Sequence, residues 1–126
     1  MRITKVTTKT GDTGQTSLGS GERVKKNHPR INLLGELDHF NSVIGWTMTS
    51  FSDNNIIKEL KNIQQDIFNI SGDVSIPEGE TGLLKEDRLI YIESQIESIT
   101  SQLPPLREFI LPGGSESASR LHITRT

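Results

Sequence analysis

Cysteine is absent from the 126 residues. Disulfide staples, thiolate metal sites and thiol nucleophiles are thereby excluded, and a reducing compartment fits. Aromatic residues are scarce at 5%, and neither Trp46 nor Tyr91 has an aromatic neighbour with which to build a stacking platform. Neither sign of charge dominates: 14 Lys and Arg stand against 16 Asp and Glu. Nonspecific nucleic-acid binding needs a strongly basic face and is not expected. No apolar run approaches the roughly 20 residues of a membrane span, and the N-terminus lacks the apolar stretch of a signal peptide. The expectation is a cytoplasmic protein that engages neither nucleic acid nor membrane. The apolar share is low, at 32%, but it is concentrated in a few periodic segments, so one core in a single domain spanning 1–126 is plausible.

Strand-like alternation is nearly missing as well, Arg2–Thr7 being the one stretch that reads as β. Helical periodicity takes its place. Leu33, Leu34, Leu37, Phe40, Val43, Ile44, Thr47, Met48 and Phe51 recur at steps of three and four and predict an amphipathic helix. A second helix carries Ile56, Ile57, Leu60, Ile63, Ile67, Phe68 and Ile70, after the start signal Ser-Asp-Asn-Asn and before Gly72. Residues 73–84 read as a Pro/Gly loop. A third helix, Lys85 to Ser101, is expected to turn Leu89, Ile92, Ile96 and Ile99 inward, and Pro104 and Pro105 end it. A fourth begins after Gly113-Gly114 and meets no stop signal by Thr126, which implies a longer gene product. The fold class is therefore all-α, a bundle of about four helices over 32–126 preceded by an extended Gly-rich arm over 1–31.

That arm has its own chemistry. "TKTGDTGQTSLGSGERVKK" combines Gly11, Gly14, Gly19 and Gly21 with Thr and Ser hydroxyls and with Lys9, Arg23, Lys25 and Lys26. Glycine lets backbone N–H groups converge on phosphate, hydroxyls add hydrogen bonds, and the cations neutralise a polyphosphate. It is not a Walker A loop, because GxxxxGK[ST] is missing. A polar, mobile terminal arm accounts for the same composition.

Three blocks in order, "TKTGDTGQTSLGSGERVKKNHPRI", "LGELDHFNSVIG" and "FILPGGSESASRLHITRT", resemble the PduO-type ATP:cob(I)alamin adenosyltransferases across nearly the whole chain. The resemblance implies a five-helix bundle, assembly as a homotrimer with ATP at subunit interfaces, and transfer of the 5′-deoxyadenosyl group of ATP to the Co(I) of a corrinoid. Cobalamin and ATP with Mg²⁺ would be the substrates, and a flavoprotein reductase a possible electron source. The alternative is a module that binds ATP or a corrinoid without turnover.

Carried over residue by residue, the resemblance assigns Thr8, Lys9, Thr10, Gly11, Asp12, Gly14, Thr16, Ser17 and Lys26 to the ATP phosphates. Asp38, in "ELDHFN", becomes a carboxylate that orders the site through an ion pair, with Asn41 in the same motif. From the residues alone Asp38 also reads as a surface carboxylate and Asn41 as an exposed helix residue. Phe109 becomes an apolar wedge under the corrin that displaces its lower axial base. Reduction of Co(II) then no longer places an electron in a raised antibonding axial orbital. Without the resemblance, Phe109 reads as core. Arg125 matches the first arginine of a block whose later arginines, ATP-binding in the family, are not in this sequence. No metal site is expected: His28, His39 and His122 lack ligand spacing.

Overall fold

A computed structural model describes residues 4–77 and 82–126. Its elements run β1 (Gln15–Ser17), β2 (Arg23–Lys25), α1 (Pro29–Met48), α2 (Asn54–Ser75), α3 (Glu86–Ser101) and α4 (Glu116–Arg125). Each helix start has a local cause. Pro29 occupies the first turn of α1, where its missing N–H costs nothing, and the His28 ring accepts from the Arg30 N–H at 3.2 Å. Asp53 caps α2 by accepting from the Asn55 N–H at 2.8 Å, and Ser115 caps α4 by accepting from the Ala118 N–H at 3.1 Å. α3 has no side-chain cap; Glu86 and Asp87 in its first turn meet the positive end of the helix dipole instead.

The core is the seam of α1 and α2. Ile44, Leu60 and Ile67 are buried there, with Leu37, Met48, Phe51 and Ile63 packed around them. α1 also packs against α4. Thr47, fully buried on α1, shares a hydrogen bond of 2.7 Å with the Thr124 hydroxyl of α4. Two arginines close helix ends across elements. Arg30 at the start of α1 donates to the Val74 carbonyl at the end of α2 (2.9 Å), and Arg120 of α4 donates to the Trp46 carbonyl at the end of α1 (2.6 Å). Neither α1 nor α2 carries a basic residue in its own last turn, so these side chains supply the cations that helix C-termini favour.

Several expectations change. The segment expected as an extended arm holds an antiparallel hairpin, with Gln15 opposite Lys25, Thr16 opposite Val24 and Ser17 opposite Arg23. It also supplies two buried residues, Leu18 and Val24. Three-residue strands are too short to show alternation, which is why the pattern was invisible. The expected boundary at 31/32 falls inside the first turn of α1. Arg2 and Ile3 of the strand-like stretch lie outside the described residues, and residues 4–7 form no strand. Gly72 does not end α2, which continues to Ser75. Its missing side chain serves packing: a Cβ there would stand 2.6 Å from a Leu83 methyl. Of the expected 73–84 loop, residues 78–81 lie outside the described residues.

The largest correction concerns α3. Its expected inward residues Leu89, Ile96 and Ile99 are 60%, 59% and 58% exposed, and only Ile92 is partly covered. Leu33, Phe40, Ile56 and Phe68 on α1 and α2 are exposed as well. α3 is fastened by polar contacts along one edge. Asp66 accepts from both Nε and Nη2 of Arg88 at 2.9 Å, and Tyr91 donates to Glu59 at 2.9 Å. The Arg88 guanidinium lies 4.7 Å above the Tyr91 ring.

Candidate functional site

Two clefts contain residues assigned from the sequence. The first, about 380 Å³, lies at the open end of the hairpin and is lined by Thr13, Gly14, Gln15, Lys25, Lys26 and Asn27. The hairpin register causes it. Pairing of β1 with β2 returns Lys26 to Gly14, whose carbonyl accepts the Lys26 N–H at 3.0 Å. The Lys26 side chain lies across Gly11, where a Cβ would meet its ammonium nitrogen at 3.0 Å. Glycine at that position is what allows the cation to fold over the turn. Thr8 and Thr10 hydroxyls are 2.9 Å apart. Lys9 has φ +60°, a left-handed conformation uncommon for a side-chain-bearing residue and held here by a turn in which its carbonyl accepts the Asp12 N–H.

Arg23 locks this loop and was missed as a specific element. It donates to the Thr10 carbonyl (2.9 Å), the Gln15 carbonyl (3.3 Å) and the Ser17 hydroxyl (3.3 Å). In the sequence it stands only as one of four cations able to neutralise a polyphosphate; the three bonds show that much of its hydrogen-bonding capacity is spent on the loop itself. The cleft is therefore lined by two cations, two side-chain amides and the Thr13 hydroxyl, a chemistry suited to a phosphate chain.

The second cleft, about 500 Å³, runs between α1 and the end of α4 and is lined by Leu37, His39, Phe40, Val43 and Arg125 among others. α4 brings Arg125 to the stretch of α1 that contains Asp38 and Asn41. Asp38 itself is exposed. The Asn41 amide donates to the Gln64 carbonyl at 3.5 Å, and the Gln64 amide donates back to the Asn41 carbonyl at 2.9 Å. The Asn41 side-chain oxygen is buried with no hydrogen-bond partner. Asn41 is half-buried, not the exposed helix residue of its alternative reading. A buried acceptor left open is costly unless something donates to it.

The clefts share no lining residue, so one chain does not join the hairpin residues to Asp38 and Arg125 in a single pocket. Phe109 lines neither; it stands fully exposed on the turn before α4. Its alternative reading as a core residue is thereby ruled out within the chain. Among the described residues no cluster of three or more His, Cys, Asp or Glu is placed to hold a metal ion, and no described helix is long and apolar enough to cross a membrane.

The chain is similar to known proteins along nearly its whole length. A family model described as cobalamin adenosyltransferase matches residues 6–126. A cobalamin adenosyltransferase of Cupriavidus metallidurans is 43% identical over 126 residues, covering 99% of this chain and 67% of its own. The corrinoid adenosyltransferase PduO of Citrobacter freundii is 37% identical over 123 residues, covering 94% of this chain and 37% of its own. Among solved structures, a PduO-type ATP:corrinoid adenosyltransferase of Lactobacillus reuteri superposes with a TM-score of 0.86 at 34% identity. That structure is a phenylalanine-to-histidine variant complexed with cobalamin and ATP; the match covers 96% of this chain and 68% of that one.

Proposed function

The chain belongs to the cobalamin adenosyltransferase family, and from that premise we propose that it transfers the 5′-deoxyadenosyl group of ATP to cob(I)alamin. The products are adenosylcobalamin and triphosphate. The observation that carries this reading is the glycine and lysine cleft at the hairpin, with the Lys26 ammonium folded over Gly11.

The reaction makes few demands on side chains. Co(I) supplies the electron pair; the Co–C5′ bond forms as the C5′–O bond breaks, and triphosphate leaves with that bonding pair. The protein's task is to hold the two substrates in line and to stabilise charge on the leaving group. Lys26, Lys9 and the Thr8, Thr10, Thr16 and Ser17 hydroxyls serve the triphosphate, with Gly11, Asp12 and Gly14 shaping the turn. Mg²⁺ would accompany the triphosphate and offset part of its charge. Arg125 extends the cationic clamp from α4. Asp38 orders the α1 side of the site, and Asn41, tied to Gln64 of α2, holds that stretch of α1 in place. Phe109 is the wedge beneath the corrin, which the cofactor's own chemistry requires to be apolar and dry.

A complete ATP site assembles where the hairpin of one subunit meets α1 and α4 of the next, in a homotrimer. Two observations support this: the two clefts are separate in one chain, and apolar side chains of α3 stand uncovered. A flavoprotein reductase supplies the electron that takes Co(II) to Co(I), and a cytoplasmic setting belongs to the same reading.

The test is adenosylation of chemically reduced cob(I)alamin with MgATP, followed by the spectral change as the Co–C bond forms. A module that only binds would take up ATP or the corrinoid and give no such change. Within an active protein, Lys26→Ala should raise the apparent ATP constant about ten-fold, the loss of one charge-assisted hydrogen bond, and leave corrinoid binding unaltered. An unaltered ATP constant would return Lys26 to the solvated surface.

A further inference from the structure

α1 ends without a cation of its own, and Arg120 of α4 supplies one. From Nη1 the guanidinium donates to the Trp46 carbonyl and the Thr49 hydroxyl, both at 2.6 Å. From Nη2 it donates to Glu116, one turn back on its own helix. Its central carbon lies over the Trp46 ring, 4.3 Å from the ring centroid, and the side chain is only 17% exposed. A planar group held by three acceptors and seated over an indole resists both sliding and rotation, which a lysine ammonium does not.

One turn further along α4, Thr124 meets buried Thr47 of α1. Arg120 and Thr124 are four residues apart and so share the α1-facing stripe of α4. Arg125 follows immediately and lines the α1–α4 cleft, whereas Arg120 does not line it.

We infer that Arg120 is a positioning residue: by clasping the end of α1 it sets the rotation and register of α4, and so aims Arg125 across the cleft. The inference rests on the proposed function insofar as Arg125 is taken to face the triphosphate. Without the clasp, α4 stays on α1 through Thr124 with Thr47 and through the Ser117 hydroxyl donating to the Ser50 carbonyl at 3.1 Å. The helix remains but loses its aim.

The experiment uses the full chain carrying Arg120→Lys, with Trp46→Leu as a second variant that removes the stacking face and leaves the arginine. Trp46 is the only tryptophan, so in the lysine variant its emission reports directly on the clasp. The expected result is a shifted Trp46 emission, a melt close to that of the parent, and a fall of about ten-fold or more in kcat/KM for ATP, the scale on which an ångström of misplacement acts. Trp46→Leu should lower kcat/KM in the same direction by less. A shifted emission with unchanged kcat/KM would overturn the inference. So would a loss recovered fully on cooling to where the variant is completely folded, since that marks a structural role alone. If the parent chain forms no Co–C bond, the functional reading fails, and the inference is judged by calorimetric MgATP binding. Weakening of about five-fold in Arg120→Lys sustains it; equal affinity, or no binding by the parent, overturns it.

Discussion

The α1–α2 pair and the stretch from Leu89 to Leu111 both carry Ile, Leu and Phe in quantity, yet only the first buries any of them. Ile44, Leu60 and Ile67 are 1%, 8% and 4% exposed. Leu89, Ile96, Ile99 and Phe109 are 60%, 59%, 58% and 107% exposed. Both parts contain regular helix with sound reasons to form. They differ in what faces them: α1 lies between α2 and α4, whereas α3 is held at one edge by Asp66–Arg88 and Glu59–Tyr91. A helix can thus be fastened by polar clasps while its apolar stripe stays uncovered. In such a region, the loss of a polar partner should matter more than the loss of a large apolar side chain.

The strongest expected effect lies in the packed half. Ile44→Ala should cost about 3–4 kcal/mol, the transfer loss of its methyl groups together with the cavity left in a site that cannot collapse. Ile96→Ala, the same change on α3, should fall within about 0.5 kcal/mol of the parent. Denaturant melts of the two variants check the contrast. Equal losses would mean that α3 is packed as firmly as α1.

Next in size is the clasp. Asp66 is nearly buried, while the Arg88 side chain is 27% exposed. Asp66→Ala strands a guanidinium that water reaches in part, so the cost should be about 2 kcal/mol, below the range for a broken pair that is wholly buried. Hydrogen exchange should show the loss mainly in 86–101, the range of α3. Faster exchange spread evenly over α1 and α2 would contradict a local fastening.

How far the sequence foretold this molecule depends on the scale of each signal. The four helices were legible because steps of three and four persist over many residues, and the Ser-Asp-Asn-Asn signal before α2 contains its cap, Asp53. The hairpin was not, because three-residue strands carry no period. The covering of α3 was not, because periodicity shows which side of a helix is apolar and not what faces it. Gly14 and Lys26 stood in the sequence only as members of one polar stretch, and their meeting in one cleft follows from the pairing of β1 with β2. The Arg23 lock needed strand pairing to be seen. Arg120 carried one readable clue, its four-residue spacing from Glu116, but its bonds to Trp46 and Thr49 span more than seventy residues of sequence.

A weaker effect comes from pH. The Tyr91 phenol is pushed above its ordinary value, first by its hydrogen bond to Glu59, then by burial and by the Glu59 charge, with Arg88 opposing. A raised folded pKa means that this contribution to stability is fully present below the unfolded value near 10 and is lost as pH rises through the folded one. The sole tyrosine should therefore ionise late, as read from tyrosinate absorbance. The melting temperature should drop more steeply on the alkaline side in the parent than in Tyr91→Phe. Matching alkaline profiles would remove Tyr91 from the clasp.

The smallest change in stability is expected at Phe109, and it divides the two halves most sharply. Its ring is fully exposed on the turn before α4. Phe109→Ala removes no contact inside the chain and should melt within about 0.5 kcal/mol of the parent. A phenylalanine in a core would instead cost about 3–5 kcal/mol on truncation. On the proposed function, that quiet substitution should be loud in the chemistry. ATP affinity should hold, because neither cleft includes Phe109. Bound Co(II) should keep its lower axial ligand, so the four-coordinate signal in paramagnetic resonance should vanish. Adenosylation starting from Co(II) with a protein reductant should then collapse. Adenosylation from chemically prepared Co(I) should suffer less, since the wedge acts on the reduction that precedes displacement. A lowered melting temperature with the four-coordinate signal intact would place Phe109 among the packing residues and leave the corrin without its wedge.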